Sequence, residues 1–377
     1  MIKRSLENII IDELFKGKAI IVFGPRQSGK TTLIKSIVSN LKYPHKWLNA
    51  DEADVRRLFI DATSTGLRAI IGDKKILVID EAQRISNIGL AIKLLVDNYP
   101  EIQIIATGSS SFELSNKIKE PLTGRKFEHF LLPFSFVELV DNYGFLEEKR
   151  LLERRLIFGS YPEIVKFPDN EIKNLSLLSD SYLYKDVLVW QNINKPHKLE
   201  VLLKGIALQL GSEVSYNELA QLTGLNIRTV ENYIDILEKA FIVFRLSALF
   251  RNKRNELKKS KKIYFFDNGI RNAIINNFNM PDVRNDIGAL WENYLMSERI
   301  KYTNYNDIFL NRYFWRTRTR QEIDYVEERE GKLFAFEFKW NPKMKYRFPK
   351  TFLENYPNNE TRIVNKENYE DFLGIKM

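Results

Sequence analysis

Five short apolar segments alternate with helical segments over the first 134 residues of the chain. The apolar segments are AIIVFG, KWLNA, KILVID, IQIIATG and FLLPF, and stretches such as GLAIKLLVDN, with apolar residues at helical spacing, separate them. Strands that alternate with helices in this way form a parallel sheet with crossover helices. The pattern therefore predicts an α/β domain in this part of the chain.

A helical pattern follows from about residue 135 to residue 205. In EKRLLERRLIFG and LLSDSYLYKDVLVW, the residues Leu, Ile, Tyr and Val recur three and four positions apart, which is the spacing of a helix face. We expect these helices, over residues 135–200, to cap or flank the sheet as a helical lid. Residues 1–200 would then form the first domain.

Residues 201–255 have the pattern of a winged helix-turn-helix unit. YNELAQLTG and NIRTVENYIDILEKA predict two helices around a glycine turn, and the strand-like FIVFRLSALF follows. Asn226 is the expected N-cap of the second helix, and Val230, Ile234 and Leu237 form its apolar stripe. Such a unit either binds DNA or serves only as a packing or protein-contact module.

A second α/β region is predicted for residues 256–377. The polar stretch RNKRNELKKSKK, residues 251–262, has no apolar period and is the predicted connector. After it, KIYFFD predicts a strand, ALWENYLMSERI a helix, and EIDYVEEREGKLFAFEFKW two strands joined by a hairpin at Gly331. The chain thus has three predicted parts, of which the first and the last are α/β.

The first apolar strand ends in a glycine-containing loop, GPRQSGKT, which continues into the helical segment TTLIKSIVSN. Glycines permit the backbone angles with which successive N–H groups and the following helix N-terminus surround a phosphate. In a loop of this spacing, Lys30 reaches the β- and γ-phosphate oxygens and Thr31 offers a Mg²⁺ ligand. We therefore predict a nucleotide triphosphate site formed by Gly24, Pro25, Arg26, Gln27, Ser28, Gly29, Lys30, Thr31 and Thr32.

Two further strand ends carry polar side chains that would complete this site. ILVIDE places Asp80 at the carboxyl edge of a buried strand, where it can hold Mg²⁺, and the adjacent Glu81 can polarise the attacking water. IIATGSSS ends a second buried strand, and the hydroxyl of Thr107 or Ser109 can bond the γ-phosphate or that water. Because Thr, Gly and Ser are also ordinary turn residues, a simple turn is the alternative for this segment.

Arg125 lies in PLTGRKF, on a glycine-containing loop before the next predicted strand. Its guanidinium can stabilise transition-state charge, an effect of about 10³ to 10⁵ in rate. A solvated surface arginine is the alternative. If Arg125 acts on the nucleotide of a neighbouring chain, the protein must be a homo-oligomer.

Carboxylates and a lysine are predicted to converge near the end of the chain. Asp324 and the segment from Glu337 to Lys339 lie on adjacent predicted strands, and strand alternation places Glu337 and Lys339 on one face. Glu292, on the preceding predicted helix, adds another acid. Such a group can hold a second Mg²⁺ or Mn²⁺ and cleave a phosphodiester. The alternative is an ion pair between Glu337 and Lys339 at the surface.

Together these motifs resemble the AAA-type ATPases of bacteria and archaea that carry a C-terminal domain of restriction-endonuclease-like character. The resemblance covers nearly the whole chain and rests on GPRQSGKT, LVIDEAQ, ATGSSS, PLTGR, FGSYPEIV, KIYFFDNGIRNA, LWENYL and the terminal EID and EFK segments. It implies an AAA-like P-loop NTPase fold and Mg²⁺-dependent ATP binding and hydrolysis. The residues at the matching motif positions are Lys30, Thr31, Asp80, Glu81 and, as the proposed finger, Arg125.

The spacing of Asp324, Glu337 and Lys339 resembles the PD-(D/E)xK nuclease motif. Ile323 stands where that motif has proline, and no obvious glutamine follows on the next helix. Two functions stay open for residues 256–377. One is nucleic-acid binding or processing, with DNA favoured and a nuclease as one form of it. The other is a nucleotide-dependent regulatory switch that binds a protein partner and cuts nothing.

Charge and composition bear on partners and compartment. The net charge is +9, and residues 251–350 hold 22 basic against 13 acidic side chains, so the whole excess lies in that segment. This fits a polyanion partner, and a solvated basic surface is the alternative. No apolar stretch approaches the roughly 18 residues of a membrane span, and acids interrupt the N-terminus, so we expect a cytoplasmic protein that binds no membrane. The absence of cysteine excludes disulfides and thiol nucleophiles.

Overall fold

The computed structural model describes residues 2–109, 121–181, 196–250 and 260–375. Ser110 and Ser111, the later part of LLSDSYLYKDVLVW and most of the predicted connector lie outside the described residues. The chain divides into two compact units. Unit 1 comprises Met1–Phe134 with Lys239–Phe241, and unit 2 comprises Ser135–Glu238 with Ile242–Met377.

Unit 1 contains a parallel sheet that, within the described ranges, has five strands. They are β1 (Ala19–Phe23), β2 (His45–Asn49), β3 (Ile76–Asp80), β4 (Gln103–Gly108) and β5 (Lys126–Phe130), in the order β2-β3-β4-β1-β5 across the sheet. The helices in the described part of this unit are α1 (Leu6–Glu13), α2 (Lys30–Leu41), α3 (Ala53–Arg57), α4 (Ser64–Ile71) and α5 (Ile88–Asn98). All strand pairs are parallel, which confirms the predicted α/β fold of this part.

Three central strands bring the polar ends of the apolar runs together. β1, β3 and β4 are buried along their whole length, as in a parallel sheet covered on both faces. In register, Phe23 of β1 lies beside Gly108 of β4, and Ile79 of β3 lies beside Ala106. The residues that follow these strands therefore share the carboxyl edge of the sheet, where ligands bind in open α/β folds.

The fifth strand differs from the prediction. We expected a strand on FLLPF, whereas β5 covers KFEHF and includes only the first residue of that run. β5 lies at the edge of the sheet beside β1, and its residues are half-buried or exposed. An edge strand lacks the continuous apolar run of a central strand. The apolar pattern therefore predicted the strand on the apolar residues that follow β5.

Unit 2 begins with the segment that we expected to form a lid on the sheet of unit 1. Its helices here are α6 (Phe136–Tyr143), α7 (Phe145–Arg150), α8 (Leu152–Phe158), α9 (Pro162–Lys166) and α10 (Glu171–Ser181). They belong to unit 2, and distant carboxylates of that unit accept backbone N–H groups of this segment. Asp267 accepts from the N–H of Ser160 at 2.8 Å, and Glu298 accepts from the N–H of Phe136 at 2.6 Å.

Within the described ranges, unit 2 has one mixed sheet and a further set of helices. They are α11 (Pro196–Leu208), α12 (Tyr216–Thr223), α13 (Ile227–Lys239), α14 (Asn268–Ile274), α15 (Ile287–Tyr305), α16 (Lys350–Asn355) and α17 (Tyr369–Phe372). The strands are β6 (Glu213–Val214), β7 (Val243–Ala248), β8 (Lys261–Phe265), β9 (Asn311–Arg316), β10 (Glu322–Arg329), β11 (Lys332–Lys339) and β12 (Asn359–Asn365). Their order is β12-β11-β10-β9-β7-β8-β6. None of the helices in the described part of the chain is long and apolar enough to cross a membrane.

Strand pairing in unit 2 continues across the boundary that we expected at residue 255. β7 pairs antiparallel with β8 and parallel with β9, so strands from both sides of that boundary form one sheet. Apolar periodicity predicts where strands lie but carries no information about their partners far along the chain. The assignment of residues 201–255 to a winged helix and of 256–377 to an endonuclease-like domain stays a prediction.

The local details of the helix pair α12 and α13 agree with the sequence. The side-chain oxygen of Asn226 accepts from the N–H of Thr229 at 2.8 Å, which confirms the N-cap. Val230, Ile234 and Leu237 are buried along α13, as the stripe predicted.

Candidate functional sites

The loop between β1 and α2 requires glycine at both of its glycine positions. A Cβ atom on Gly24 would lie 2.1 Å from the carbonyl oxygen of Leu131, so no side chain fits there. Gly29, the N-cap of α2, has φ +96°, which side chains rarely adopt. Between them, the buried hydroxyl of Ser28 has no hydrogen-bond partner in the described part of the chain. This is the geometry expected of a phosphate-wrapping loop.

The rest of the predicted loop lies around the start of α2. The ammonium of Lys30, which is 6% exposed, donates to the carbonyl oxygens of Gly24 and Pro25, both at 2.8 Å. Gln27 is exposed and has φ +59°, Thr32 is exposed, and Arg26 is half-buried. The cation is therefore held inside the loop, whereas Gln27 and Thr32 face solvent.

The Thr31 side chain, at the start of α2, contacts Asp80, at the end of β3. The Thr31 hydroxyl lies 2.9 Å from Asp80 Oδ2 and 3.3 Å from Oδ1. Thr107, fully buried on β4, donates its hydroxyl to Asp80 and accepts from the N–H of Glu81 at 3.3 Å. A hydroxyl and a carboxylate oxygen side by side are the hard ligands that Mg²⁺ prefers, so the donor set fits this ion.

Glu81 has a strained backbone and a partner that the sequence motif did not identify. Its φ is +53°, a left-handed conformation that costs a non-glycine residue about 1 kcal/mol. The amide of the buried Gln83 donates to the Glu81 carboxylate and also to Ser109 Oγ, at 3.1 Å. Gln83 therefore joins Glu81 and Ser109, two of the predicted catalytic side chains. Its signal in the sequence was the Gln of LVIDEAQ, three residues after Asp80.

Arg4 supports the loop from outside the motifs. Its guanidinium donates to the carbonyl oxygens of Ser28, at 2.8 Å, and of Leu132, at 2.5 Å, and lies 4.7 Å from the ring centre of Phe134. Arg4 is only 6% exposed. Nothing in the N-terminal sequence distinguishes this arginine from a surface one.

The structure does not bring Arg125 to the nucleotide loop of its own chain. The N–H of Ala19, at the start of β1, donates to the carbonyl oxygen of Arg125 at 2.9 Å, whereas the loop begins at the other end of that strand. A strand of this length separates them by roughly 15 Å. The guanidinium of Arg125 instead pairs with Asp97 at 2.5 Å. Within one chain Arg125 is thus on the edge opposite the loop.

The four residues predicted at the C-terminal site converge in unit 2, on α15, β10 and β11. Asp324 Oδ2 accepts from the N–H of Phe338 at 2.9 Å, and Lys339 pairs with Glu337 at 2.6 Å. Burial, with the nearby carboxylates of Glu292 and Glu337, raises the pKa of Asp324 well above its ordinary value. Burial also raises the pKa of Glu337. The group is therefore a crowded acidic cluster rather than an exposed ion pair.

Residues of β8 and β10 that the sequence did not identify complete this cluster. Lys262 pairs with Glu292 at 3.0 Å and with Glu322 at 2.7 Å, and the Tyr264 hydroxyl donates to Glu292 at 2.5 Å. Burial alone would lower the pKa of Lys262. The nearby negative charges, of which Glu292 has the largest effect, outweigh burial and hold the pKa of Lys262 well above its ordinary value. In the ranges that the structure describes, no group of three His, Cys, Asp or Glu residues is arranged to hold a metal ion.

The arginines and aromatic residues of β9 separate into two sets. Phe314 and Trp315 are buried in the core, so they do not offer stacking surfaces to bases. Arg316 pairs with Glu213 at 3.1 Å and, with Arg318 and Arg320, lines a cavity of about 500 Å³. Arg316, at the end of β9, and the exposed Arg318 and Arg320 that follow it therefore place three basic side chains at one cavity.

Known families match three segments of the chain. Residues 16–140 match an AAA domain family, and residues 149–280 and 287–374 match two domains of unknown function, DUF8612 and DUF4143. The AAA match supports ATP binding and hydrolysis by unit 1.

Curated relatives are similar over most of the chain at low identity. Uncharacterized protein MJ1544 of Methanocaldococcus jannaschii is 26% identical over 276 residues, 68% of this chain and 62% of its own length. Uncharacterized protein Rv2008c of Mycobacterium tuberculosis is 26% identical over 344 residues, 86% of this chain and 71% of its own length. The alignment thus spans less than two thirds of the first of these relatives.

A solved structure of a Walker-type ATPase has a similar fold. The Walker-type ATPase PABY2304 of Pyrococcus abyssi has a TM-score of 0.51 at 16% identity, and the match covers 73% of this chain and 96% of that chain. With the parallel sheet of unit 1 and the AAA match, this supports a P-loop NTPase fold and an AAA-type ATPase.

Proposed function

We propose that the protein is a Mg²⁺-dependent ATPase whose unit 2 binds nucleic acid, with DNA favoured. The observation that supports the ATPase most directly is the 2.9 Å contact between the Thr31 hydroxyl and Asp80, beside the loop that holds Lys30. Two residues 49 positions apart in the sequence meet where a phosphate-bound Mg²⁺ needs ligands.

Each residue of the site has one task in this proposal. Lys30 exchanges the carbonyls of its own loop for phosphate oxygens, and the free hydroxyl of Ser28 and the N-terminus of α2 add donors. Thr31 and Asp80 would hold Mg²⁺, which neutralises phosphate charge when bound. Glu81 orients the attacking water, and Gln83 fixes the Glu81 carboxylate relative to Ser109.

The test is ATP turnover in Lys30→Ala, with Lys35→Ala as the matched control on the same helix. Lys35 is exposed and lies over the ring of Trp47, so its loss leaves the loop intact. We expect Lys30→Ala to lose turnover and the control to keep it. Full turnover in Lys30→Ala would refute the site.

The nucleic-acid part of the proposal is supported by exposed arginines at the cavity and by the basic segment that contains them. We expect affinity for a DNA oligonucleotide to fall with salt, with a log–log slope near 0.9 for each contacted phosphate. Arg318→Ala and Arg320→Ala should each reduce that slope. Arg150→Ala, an exposed arginine of α7, is the control. Binding that does not depend on salt would favour the protein-binding regulator.

Metal-dependent phosphodiester cleavage is a second candidate function, which the convergence of Asp324, Glu337 and Lys339 favours. The oxygens of the two acids suit Mg²⁺ or Mn²⁺, which would stabilise phosphate charge, and Lys339 would orient the attacking water. Cleavage of linear, branched and single-stranded DNA in Mn²⁺ should disappear in Lys339→Ala and persist in Lys332→Ala, on the same strand. No cleavage by the wild type, with DNA binding intact, leaves unit 2 as a binding module.

A further inference from the structure

A buried lysine stands inside the acidic cluster of unit 2. Lys262 is 1% exposed, and its ammonium bridges Glu292, at 3.0 Å, and Glu322, at 2.7 Å. The two carboxylates come from different elements, α15 and β10, and share this one cation. Lysine is almost never fully buried unless it is paired, so the bridge is what permits Lys262 to lie at this position.

A hydroxyl and a guanidinium also contact the two carboxylates of the bridge. Tyr264 donates to the same oxygen of Glu292 that Lys262 contacts, and Arg316 Nε lies 3.7 Å from the other oxygen of Glu322. A divalent ion placed here would need these oxygens as ligands. It would also meet an ammonium group within contact distance, and like charges at that distance repel.

We propose that the Lys262 ammonium is the resident cation of Glu292 and Glu322 and excludes a divalent ion from that pair. Glu292, which the sequence suggested as a metal ligand, is then a counter-ion, and a divalent ion in this cluster is limited to Asp324 and Glu337. The inference builds on the cleavage function proposed above but is tested separately. It implies a single-ion site, because the second ion of a two-ion centre lies about 3.5–4 Å from the first and needs ligands of its own.

The experiment counts Mn²⁺ ions bound by the full-length protein without nucleotide, by electron paramagnetic resonance of free Mn²⁺. Lys262→Met keeps the length of the side chain and removes its charge, which leaves two acids to share a divalent ion. Lys149→Met is the matched control, because Lys149 pairs at 2.6 Å with the buried Glu370, outside the cluster. Any ion held at Asp80 contributes equally to all proteins.

We expect Lys262→Met to bind one more Mn²⁺ per chain than the wild type and the control to bind the same number. Mn²⁺ should also raise the melting temperature of Lys262→Met more than that of the wild type, because it replaces the missing cation. A folded Lys262→Met with no additional ion would overturn the inference.

A second variant decides the matter even if Lys262→Met does not fold. Glu292→Gln in the otherwise native protein should leave the Mn²⁺ count unchanged, since Glu292 is not a ligand, and a lower count would overturn the inference. A count that falls in Glu337→Gln reports instead on the cleavage function. The two hypotheses can therefore fail independently.

Discussion

Replacing Arg4 with alanine removes a side chain that ties the nucleotide loop to the segment after β5. The guanidinium donates one hydrogen bond to the Ser28 carbonyl and one to the Leu132 carbonyl, at 2.8 and 2.5 Å. Hydrogen bonds from a charged donor contribute about 1.5 kcal/mol or more each, so we expect the loop to lose about 3 kcal/mol against local opening. Because about 1.4 kcal/mol is a factor of ten, the open population should rise roughly a hundredfold.

Hydrogen exchange of peptides that cover the loop measures this opening directly. Exchange should accelerate in Arg4→Ala, and ATP should bind more weakly because the open loop cannot surround the phosphates. Arg4→Lys should be intermediate, since an ammonium cannot span two carbonyls as the guanidinium fork does. Arg125→Ala is the control, because its partly exposed pair with Asp97 contributes at most about 1 kcal/mol. Loop protection in Arg4→Ala equal to that of the wild type would refute the reasoning.

Three further predictions follow from the two sites. Gln83→Ala should slow ATP turnover about 10- to 100-fold with ATP affinity unchanged, as for a group that positions a catalytic residue; unchanged turnover would contradict its role. If Arg125 acts on the nucleotide of a neighbouring chain, a mixture of inactive Arg125→Ala and Lys30→Ala chains should regain ATP turnover. A mixture that stays inactive would exclude this role for Arg125. The pKa of Asp324 is raised in the folded protein, so the protonated carboxyl stabilises the fold. This stabilisation is fully present below the pKa of the unfolded chain, about 3.9, and is lost as the pH rises through the pKa of the folded protein. The free energy of unfolding of Asp324→Asn should therefore lack this pH dependence. An equal loss of stability with rising pH in the wild type and in Asp324→Asn would exclude Asp324 as its source.

The nucleotide loop could be predicted from sequence because its requirements are local. Gly24, Gly29 and Lys30 are close in sequence, and the strand before them and helix after them follow from apolar periodicity. Asp80 was also predictable, since parallel strands end at a common edge and a buried strand that ends in an acid is conspicuous. The sequence did not show that Arg125 lies directly before a strand, because the predicted strand FLLPF begins four residues after the half-exposed edge strand β5 does.

The division of the chain could not be predicted for a different reason. The helices of residues 135–181 show an apolar face in the sequence, but the sequence does not show that backbone N–H groups of this segment bond to distant carboxylates such as Asp267 and Glu298. Likewise β7 carries no sign of β9 as its partner, so the sheet of unit 2 was divided between two predicted domains. Local periodicity specifies elements, whereas partners are specified by long-range complementarity.

The two cations that sequence reasoning missed, Arg4 and Lys262, share one physical cause. An arginine or lysine in a polar stretch is usually solvated, and Lys262 was the last residue of the charge-rich connector predicted over 251–262. KIYFFD, which begins with Lys262, was also predicted as a strand, and in the structure Lys262 lies in β8, buried between acids that lie 30 and 60 positions later in the sequence. Burial of a charge is favourable only when its partners are already in place, and those partners come from other elements of the fold. At such sites a supporting cation is therefore expected where buried carboxylates or carbonyl oxygens of the motif have no partner among their sequence neighbours.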